Sequence, residues 1–282
     1  MSSSQLSSHN IAIGENTLVN VTNGSLKNVY NIAIGSEAGN DITIGERNIL
    51  IGAFSGDVIT EGIYNSCLGY GTLSSNVDSD KNTAIGSFAL NVMTGTAGDT
   101  YNTAVGWEAG ADVTTGVKNT IIGAVAGNAG SNDLTTGDNN IIIGFNASAS
   151  AAGVDNEITL GDANISAFRC ADQSIAALSD GRDKTNVKDS SFGLDFIDSV
   201  RPVEFEWDFR PEHMSEVKQG KKRVGFIAQE LQEAMPDGEN EILDLVYEIS
   251  ENRIEAKYGN LIPILVKAVQ ELSAKVKELE NK

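Results

Sequence analysis

Short apolar triplets, each preceded by asparagine and closed by glycine, recur through the first half of the chain. They read NIAIG at Asn10–Gly14 and Asn31–Gly35, NILIG at Asn48–Gly52, NSCLG at Asn65–Gly69 and NTAIG at Asn82–Gly86. NTAVG (Asn102–Gly106), NTIIG (Asn119–Gly123) and NIIIG (Asn140–Gly144) follow, then a weaker EITLG ending at Gly161. The closing glycines stand 17 residues apart except for steps of 20 or 21, and an additional DITIG ends at Gly45. Self-similarity at a fixed period marks a repeat architecture. Each unit predicts a short strand with alternate apolar positions, bounded by an asparagine suited to turns and a glycine free to take positive φ. Longer steps leave the motif intact, so their extra residues belong in turns. One such strand cannot bury its apolar side alone, but stacked coils form a continuous core. The expectation is a β-solenoid or β-roll over residues 1–161, with nine coils about 4.8 Å apart making a rod on the order of 40 Å long.

The pattern changes at Asp162. DANISAFRCADQSIAAL, residues 162–178, loses the glycines and gains Ile165, Phe168, Ile175 and Leu178. It is expected to supply the last strands of the rod, with Cys170 in the interior. Residues 179–282 read as an α/β domain. SSFGLDFIDSV (Ser190–Val200) predicts a helix begun by serine, and VEFEWDF (Val203–Phe209) alternates as a strand. A charged loop containing His213 follows, and then RVGFIAQELQEAMP, a strand entering a helix with close packing at Gly225. Gln229 and Glu230 are candidate contacts between subunits. Ile242–Ile249 and Asn252–Lys257 are expected to join the earlier strand in one sheet. Ile262, Leu265, Val269, Leu272, Val276 and Leu279 then follow 3,4 spacing, predicting a coiled-coil helix over residues 261–282. β-branched residues at a with leucine at d are the two-stranded pattern.

Charge and composition sharpen this division. Of 39 acidic and 20 basic residues, 17 acidic and five basic lie before Ser179, while all four prolines lie after it. A net charge of −19 without a basic stripe argues against nucleic acid, because a phosphate backbone needs clustered Lys and Arg. Two cysteines and two histidines in no ligand spacing argue against a disulfide framework, a metal or another cofactor. No apolar run approaches the length needed to enter a bilayer. MSSSQLSSHN lacks the pattern of a secretory signal, so the product is expected to be made in the cytoplasm. A cellular surface adhesin would be expected to carry such a signal.

The NTAIG-type array resembles the head repeats of trimeric bacterial adhesins and the shafts of phage tail fibres, and the likeness implies three chains along the rod. Its turns are candidates for binding a carbohydrate or protein receptor, with Tyr64, Tyr70, Phe88, Tyr101 and Trp107 able to stack on sugars. A polysaccharide-degrading rod would need paired acids, and Asp78 with Asp80 or Asp133 with Asp138 are the nearest pairs.

LSDGRDK, Leu178–Lys184, is the other candidate for chemistry. A serine hydroxyl becomes a nucleophile when a base removes its proton, and a lysine serves when burial or a neighbouring cation lowers its pKa. Ser179 and Lys184 have those residue types; Arg182 would favour a neutral Lys184, whereas Asp180 and Asp183 would oppose it. SDGRDK, FEW (Phe205–Trp207), GFIAQEL (Gly225–Leu231) and YGNLIPILVKAVQEL (Tyr258–Leu272) together resemble the C-terminal intramolecular chaperone domain of phage endosialidases. That resemblance implies a trimerising module that assists folding of the β-rich part ahead of it and then cuts itself free. It implies Ser179 as nucleophile, Lys184 as base, Asp180 and Arg182 as supporting groups, and Leu178–Ser179 as the cut bond. It also implies a homotrimer in a virion tail fibre or spike, contacting other tail proteins and a host receptor, plausibly a glycan. No upstream virion-attachment segment is evident, which would suit a distal tip or a truncated chain.

Overall fold

The computed structural model describes residues 7–21, 27–94, 98–130, 132–171, 176, 178–209, 218–236, 238–250 and 253–282. His213 and Ile175 lie outside them. The chain forms two compact units, Met1–Ile165 and Ser166–Lys282.

The first unit is a β-solenoid. Its nine three-residue strands, from Ile11–Ile13 to Ile158–Leu160, form one parallel sheet in sequence order, joined strand to strand in register. The middle residue of each strand points inward, stacking Ala33, Leu50, Cys67, Ala84, Ala104, Ile121 and Ile142 as one buried column. In four coils the core keeps its width by trading volume across the coil, whereas Ala33 with Gly39 and Ala104 with Gly110 leave room that Leu50 and Ile121 of the next coil enter. Where the strand carries Leu50 or Ile121, the facing turn carries Gly56 or Gly127, and where it carries Cys67 or Ala84, the turn carries Leu73 or Leu90. A Cβ on Gly56 would lie 2.9 Å from Leu50.

DITIG contributes no strand to this sheet. Ile42 instead packs in the opposite wall, where Thr43 N–H bonds to Thr60 O one coil on. The extra copy is therefore the back of a coil whose front is already counted.

Two backbone features set the coil. The closing glycines from Gly14 to Gly144 adopt φ between 120° and 145°. At Gly106 an added Cβ would stand 2.4 Å from the carbonyl oxygen of Gly123 in the next coil, so no side chain fits. The asparagines do more than tolerate a turn. Asn31, Asn48, Asn65, Asn102 and Asn119 are buried, and their Nδ2 groups donate across the coil to carbonyls of Gly45, Gly62, Ser79, Gly116 and Gly137. Their Oδ1 atoms accept the backbone N–H of the asparagine in the following coil, at 2.8–3.1 Å from Asn31 through Asn119. Each amide ties front to back within one coil and one coil to the next.

After Leu160 the expected further strands are absent among the described residues of 162–178. The last coil has no following coil to pair with, and Ile165 folds over Gly161, where a Cβ would meet its Cγ1 at 2.3 Å. Cys170 is exposed rather than interior, whereas Cys67 is buried and desolvation pushes its thiol up to about 12.

The second unit holds α1 (Leu194–Ser199), α2 (Ala228–Ala234), α3 (Asn240–Leu243) and α4 (Leu261–Glu280). Phe196, Met235, Leu243, Leu245, Leu261 and Ile264 form its core. Val203–Glu206 pairs with Lys222–Gly225, and Val246–Ser250 pairs with Arg253–Ala256, each antiparallel. These are two separate sheets rather than the single sheet expected, and Ile242 belongs to α3. Gly225 is a close-packing position as read, since a Cβ there would lie 2.8 Å from the Tyr258 hydroxyl. The Ser190 hydroxyl closes a local turn on Phe192, and the residue at the start of α1 is Gly193. Glu230 pairs with Arg201 of the same chain.

Replacing Asn65 by alanine strands three buried groups, Asn82 N–H, Asn82 Nδ2 and Ser79 C=O. At about 1–3 kcal/mol for each unsatisfied group, chemical denaturation should show a loss of several kcal/mol. Asn20→Ala, which removes only exposed side-chain bonds, should stay within about 0.5 kcal/mol of wild type.

Candidate functional site

The sequence DGRD makes a single tight turn. Asp180 is extended (φ −67°, ψ 128°) and its carboxylate accepts the Arg182 backbone N–H at 2.9 Å, capping a 3-10 turn over Gly181–Asp183. The backbone N–H of Lys184 closes that turn on Gly181 O at 3.3 Å and the chain leaves extended again. Five residues are thereby folded back, and Lys184 Nζ donates to Ser179 Oγ at 2.7 Å.

Asp180 and Arg182 hold the turn from outside. The Arg182 guanidinium lies against the Asp180 carboxylate through Nε, at 3.0 Å to each oxygen, and through Nη2. That guanidinium first, and the Arg182 backbone N–H second, keep Asp180 below the usual carboxylate range. Arg182 is raised in turn by Asp180. Of the three charged neighbours of Lys184 in the sequence, Arg182 and Asp180 are thus bound to each other. Ser179, Asp180, Arg182 and Lys184 are all exposed, and Leu178 is fully so. The turn's backbone can be reached by another chain or by water.

The other candidates fall elsewhere. Asp78 accepts from the Thr60 hydroxyl, while Asp80, Asp133 and Asp138 accept backbone N–H groups of Ile63, Gly130 and Val117. Burial raises Asp80. These acids brace turns and neighbouring coils. Tyr64 and Tyr101 precede coil asparagines, Tyr70 and Trp107 follow closing glycines, and Phe88 lies one place further on. Tyr70 stacks edge-on between Phe54 and Phe88, at 5.6 and 5.3 Å. Among the described residues no cluster of His, Cys, Asp or Glu could hold a metal ion, and no helix is long and apolar enough to cross a membrane.

One contact had no sequence signal. Glu271 on α4 accepts the Leu194 backbone N–H at 2.8 Å, capping the start of α1 from 77 residues away. That bond, ahead of nearby Lys267, lowers the Glu271 pKa.

Residues 179–238 match the model of the chaperone-of-endosialidase family, a peptidase family by name, and the match opens on Ser179 itself. It covers α1, the 203–206/222–225 hairpin and α2, and stops before α3 and α4. Comparison with curated proteins and with solved structures gave no match. A β-solenoid followed by this domain fits a tail fibre or spike with a C-terminal chaperone.

Because Glu271 sits below the ordinary glutamate value of 4.5 in the folded chain, its contribution is present above that pH and is lost as pH falls through the lowered value. Melting followed by near-ultraviolet signal of the second unit should weaken on acidification below pH 4.5. Glu271→Gln should make that acid dependence shallower.

Proposed function

We propose that the chain is a phage tail fibre or spike subunit that binds a host surface through its solenoid. Residues 179–282 would act as a trimerising chaperone that cuts the Leu178–Ser179 bond once. The observation that carries the proposal is the 2.7 Å contact between Lys184 Nζ and Ser179 Oγ beside a fully exposed Leu178.

The chemistry requires a neutral Lys184 amine, which takes the Ser179 hydroxyl proton. Oγ attacks the adjoining Leu178 carbonyl carbon through a five-membered ring. The carbon–nitrogen bond breaks, the proton passes to the Ser179 nitrogen, and Leu178 is left as an ester on Oγ. Water then hydrolyses the ester, leaving a Leu178 carboxylate, a new Ser179 amino terminus and the regenerated hydroxyl. Asp180 and Arg182 act as positioning residues that keep the turn closed.

Two surfaces support association. On α4, Leu261, Ile264 and Ala268 face the unit's own core. Ile262, Leu265, Val269, Leu272, Val276 and Leu279 are 44–68% exposed and form a second apolar stripe. On the solenoid, Ile13, Leu68, Ile85, Ile122, Ile143 and Leu160 stand on the outer sheet face. A strand pattern apolar on both faces suits a sheet covered from both sides. We take the number of copies as three from the family resemblance, against the two-stranded heptad pattern.

Joining these parts has a physical rationale. A rod of distant strands and separate chains folds slowly, because loop closure precedes the contacts that reward it. Early association at the C-terminal end raises the local concentration of the rods. Cutting the connection then makes unfolding no longer the reverse of assembly. A polysaccharide-degrading rod is less well supported, since its candidate acids are engaged in bracing turns.

Intact-mass analysis of assembled wild-type protein should give two pieces that meet at Leu178–Ser179. Ser179→Ala should remain full length, and Lys184→Ala should cut about 10²–10⁴-fold more slowly. A wild-type chain that stays whole after assembly, or a Lys184→Ala chain that cuts at the wild-type rate, would contradict the proposal.

A further inference from the structure

The residue before each coil asparagine follows a rule of its own. From the second coil onward it is Tyr30, Arg47, Tyr64, Lys81, Tyr101 and Lys118, an unbroken alternation of tyrosine and cation. All six adopt left-handed backbone, φ 54° to 61°. That conformation costs a residue with a Cβ about 1–2 kcal/mol, and asparagine is the ordinary non-glycine occupant. The next two coils do carry Asn139 and Asn156 there. Six coils thus keep large side chains in a slot that asparagine fills more cheaply; since core residues such as Leu73 and Leu90 are left-handed too, it is the alternation of tyrosine and cation that marks the column.

The side chains form a ladder along the surface. The Arg47 guanidinium carbon lies 5.2 Å from the centre of the Tyr64 ring and Lys81 Nζ 5.0 Å from that of Tyr101. Tyr30, Tyr64 and Tyr101 are each nearly half exposed. Of the five basic residues before Ser179, three stand in this column. Two residues further on, the outward strand position is isoleucine in the first three coils and the last two. In the four between it is Ser66, Thr83, Thr103 and Thr120, paired in register. The apolar sheet face is therefore interrupted by hydroxyls beside Tyr64, Lys81, Tyr101 and Lys118.

We infer that this part of the solenoid binds a linear polysaccharide bearing a carboxylate on every second sugar. The inference deepens the host-surface reading above and rests on it. Coils about 4.8 Å apart repeat the tyrosine, and the cation, every ~9.6 Å, about the length of two sugars in an extended chain. A ring face stacks on one sugar and the neighbouring cation meets the acid of the next. The protein's own carboxylates already touch the ladder. Glu46 engages Arg47 Nη1 at 3.0 Å, and Asp99 engages Lys81 and the Tyr101 hydroxyl, each at 2.6 Å. They hold the cations in place, and a guanidinium or ammonium retains further donors for a ligand. Competition from these acids makes binding depend on many weak contacts and on low salt.

The test uses the full chain with octasaccharides of hyaluronan, chondroitin and heparosan, and a chitin oligosaccharide of equal length as the neutral probe. The acidic probes should bind more tightly than chitin, with affinity falling as salt rises. Tyr64→Asn with Tyr101→Asn should weaken binding about ten-fold or more, and Lys81→Asn should weaken the acidic probes alone. Asparagine is native to this slot in two coils, so the fold is kept, and self-cleavage in the same samples should be unchanged. Binding by none of the three acidic probes, equal binding of chitin, or an unaffected double variant would each overturn the inference. Loss of cleavage in wild type would instead contradict the account of the C-terminal domain and leave the ladder result standing.

Discussion

The close approach of one coil to the next governs the solenoid. At the closing glycines from Gly14 to Gly123 the neighbouring carbonyl occupies the space a Cβ would need. Beside it, a buried asparagine amide joins the front of its coil to the back and to the following coil. A misplaced coil would bury these amides without partners, a costly arrangement in an apolar interior. Register is therefore enforced by polar groups, while stability comes from the column of Leu50, Cys67, Ala84, Ala104, Ile121 and Ile142 and the residues facing it.

That constraint also makes the surface periodic. With every coil held at one spacing, any position repeated in the sequence becomes a straight column on the rod. The outward isoleucines become an apolar face suited to other copies, and the residues before the asparagines become the tyrosine–cation ladder. A rod so built has no local nucleus peculiar to one place, because each coil can bond to any coil of matching shape. A separate module of the kind proposed for residues 179–282, bringing chains together at one end, would remove that ambiguity.

The period, the strands and the glycines could be read from sequence because steric exclusion at a repeated position leaves the same residue in every copy. The asparagines were visible too, but their burial was not, since a turn residue and a buried amide use the same letter. DITIG, which stood outside the series of nine, resembles the front motif because Ile42 and Gly45 occupy like positions on the opposite wall; aligning Gly45 with Gly62, 17 residues on, separates the two. Residues after Leu160 retain apolar letters but have no following coil to bond to, so Cys170 ends exposed. In the second unit α1, α2 and α4 were legible from periodicity, α3 lay at the edge of a stretch expected to be a strand, and the pairing of the strands and the Glu271 cap depend on long-range contacts. The approach of Ser179 and Lys184 was the most local question and is settled by one turn whose cap, Asp180, lies within it.

On the proposed function, a slow-folding rod is joined to a helper that would leave once the rod is made. Unfolding and refolding assembled wild-type protein beside assembled Ser179→Ala protein tests that union most directly, with recovered native rod as the readout. The uncut variant keeps its helper attached and should regain the rod; the cut wild type should not. Equal recovery from both would show that the rod finds its register unaided, contrary to the role assigned to residues 179–282.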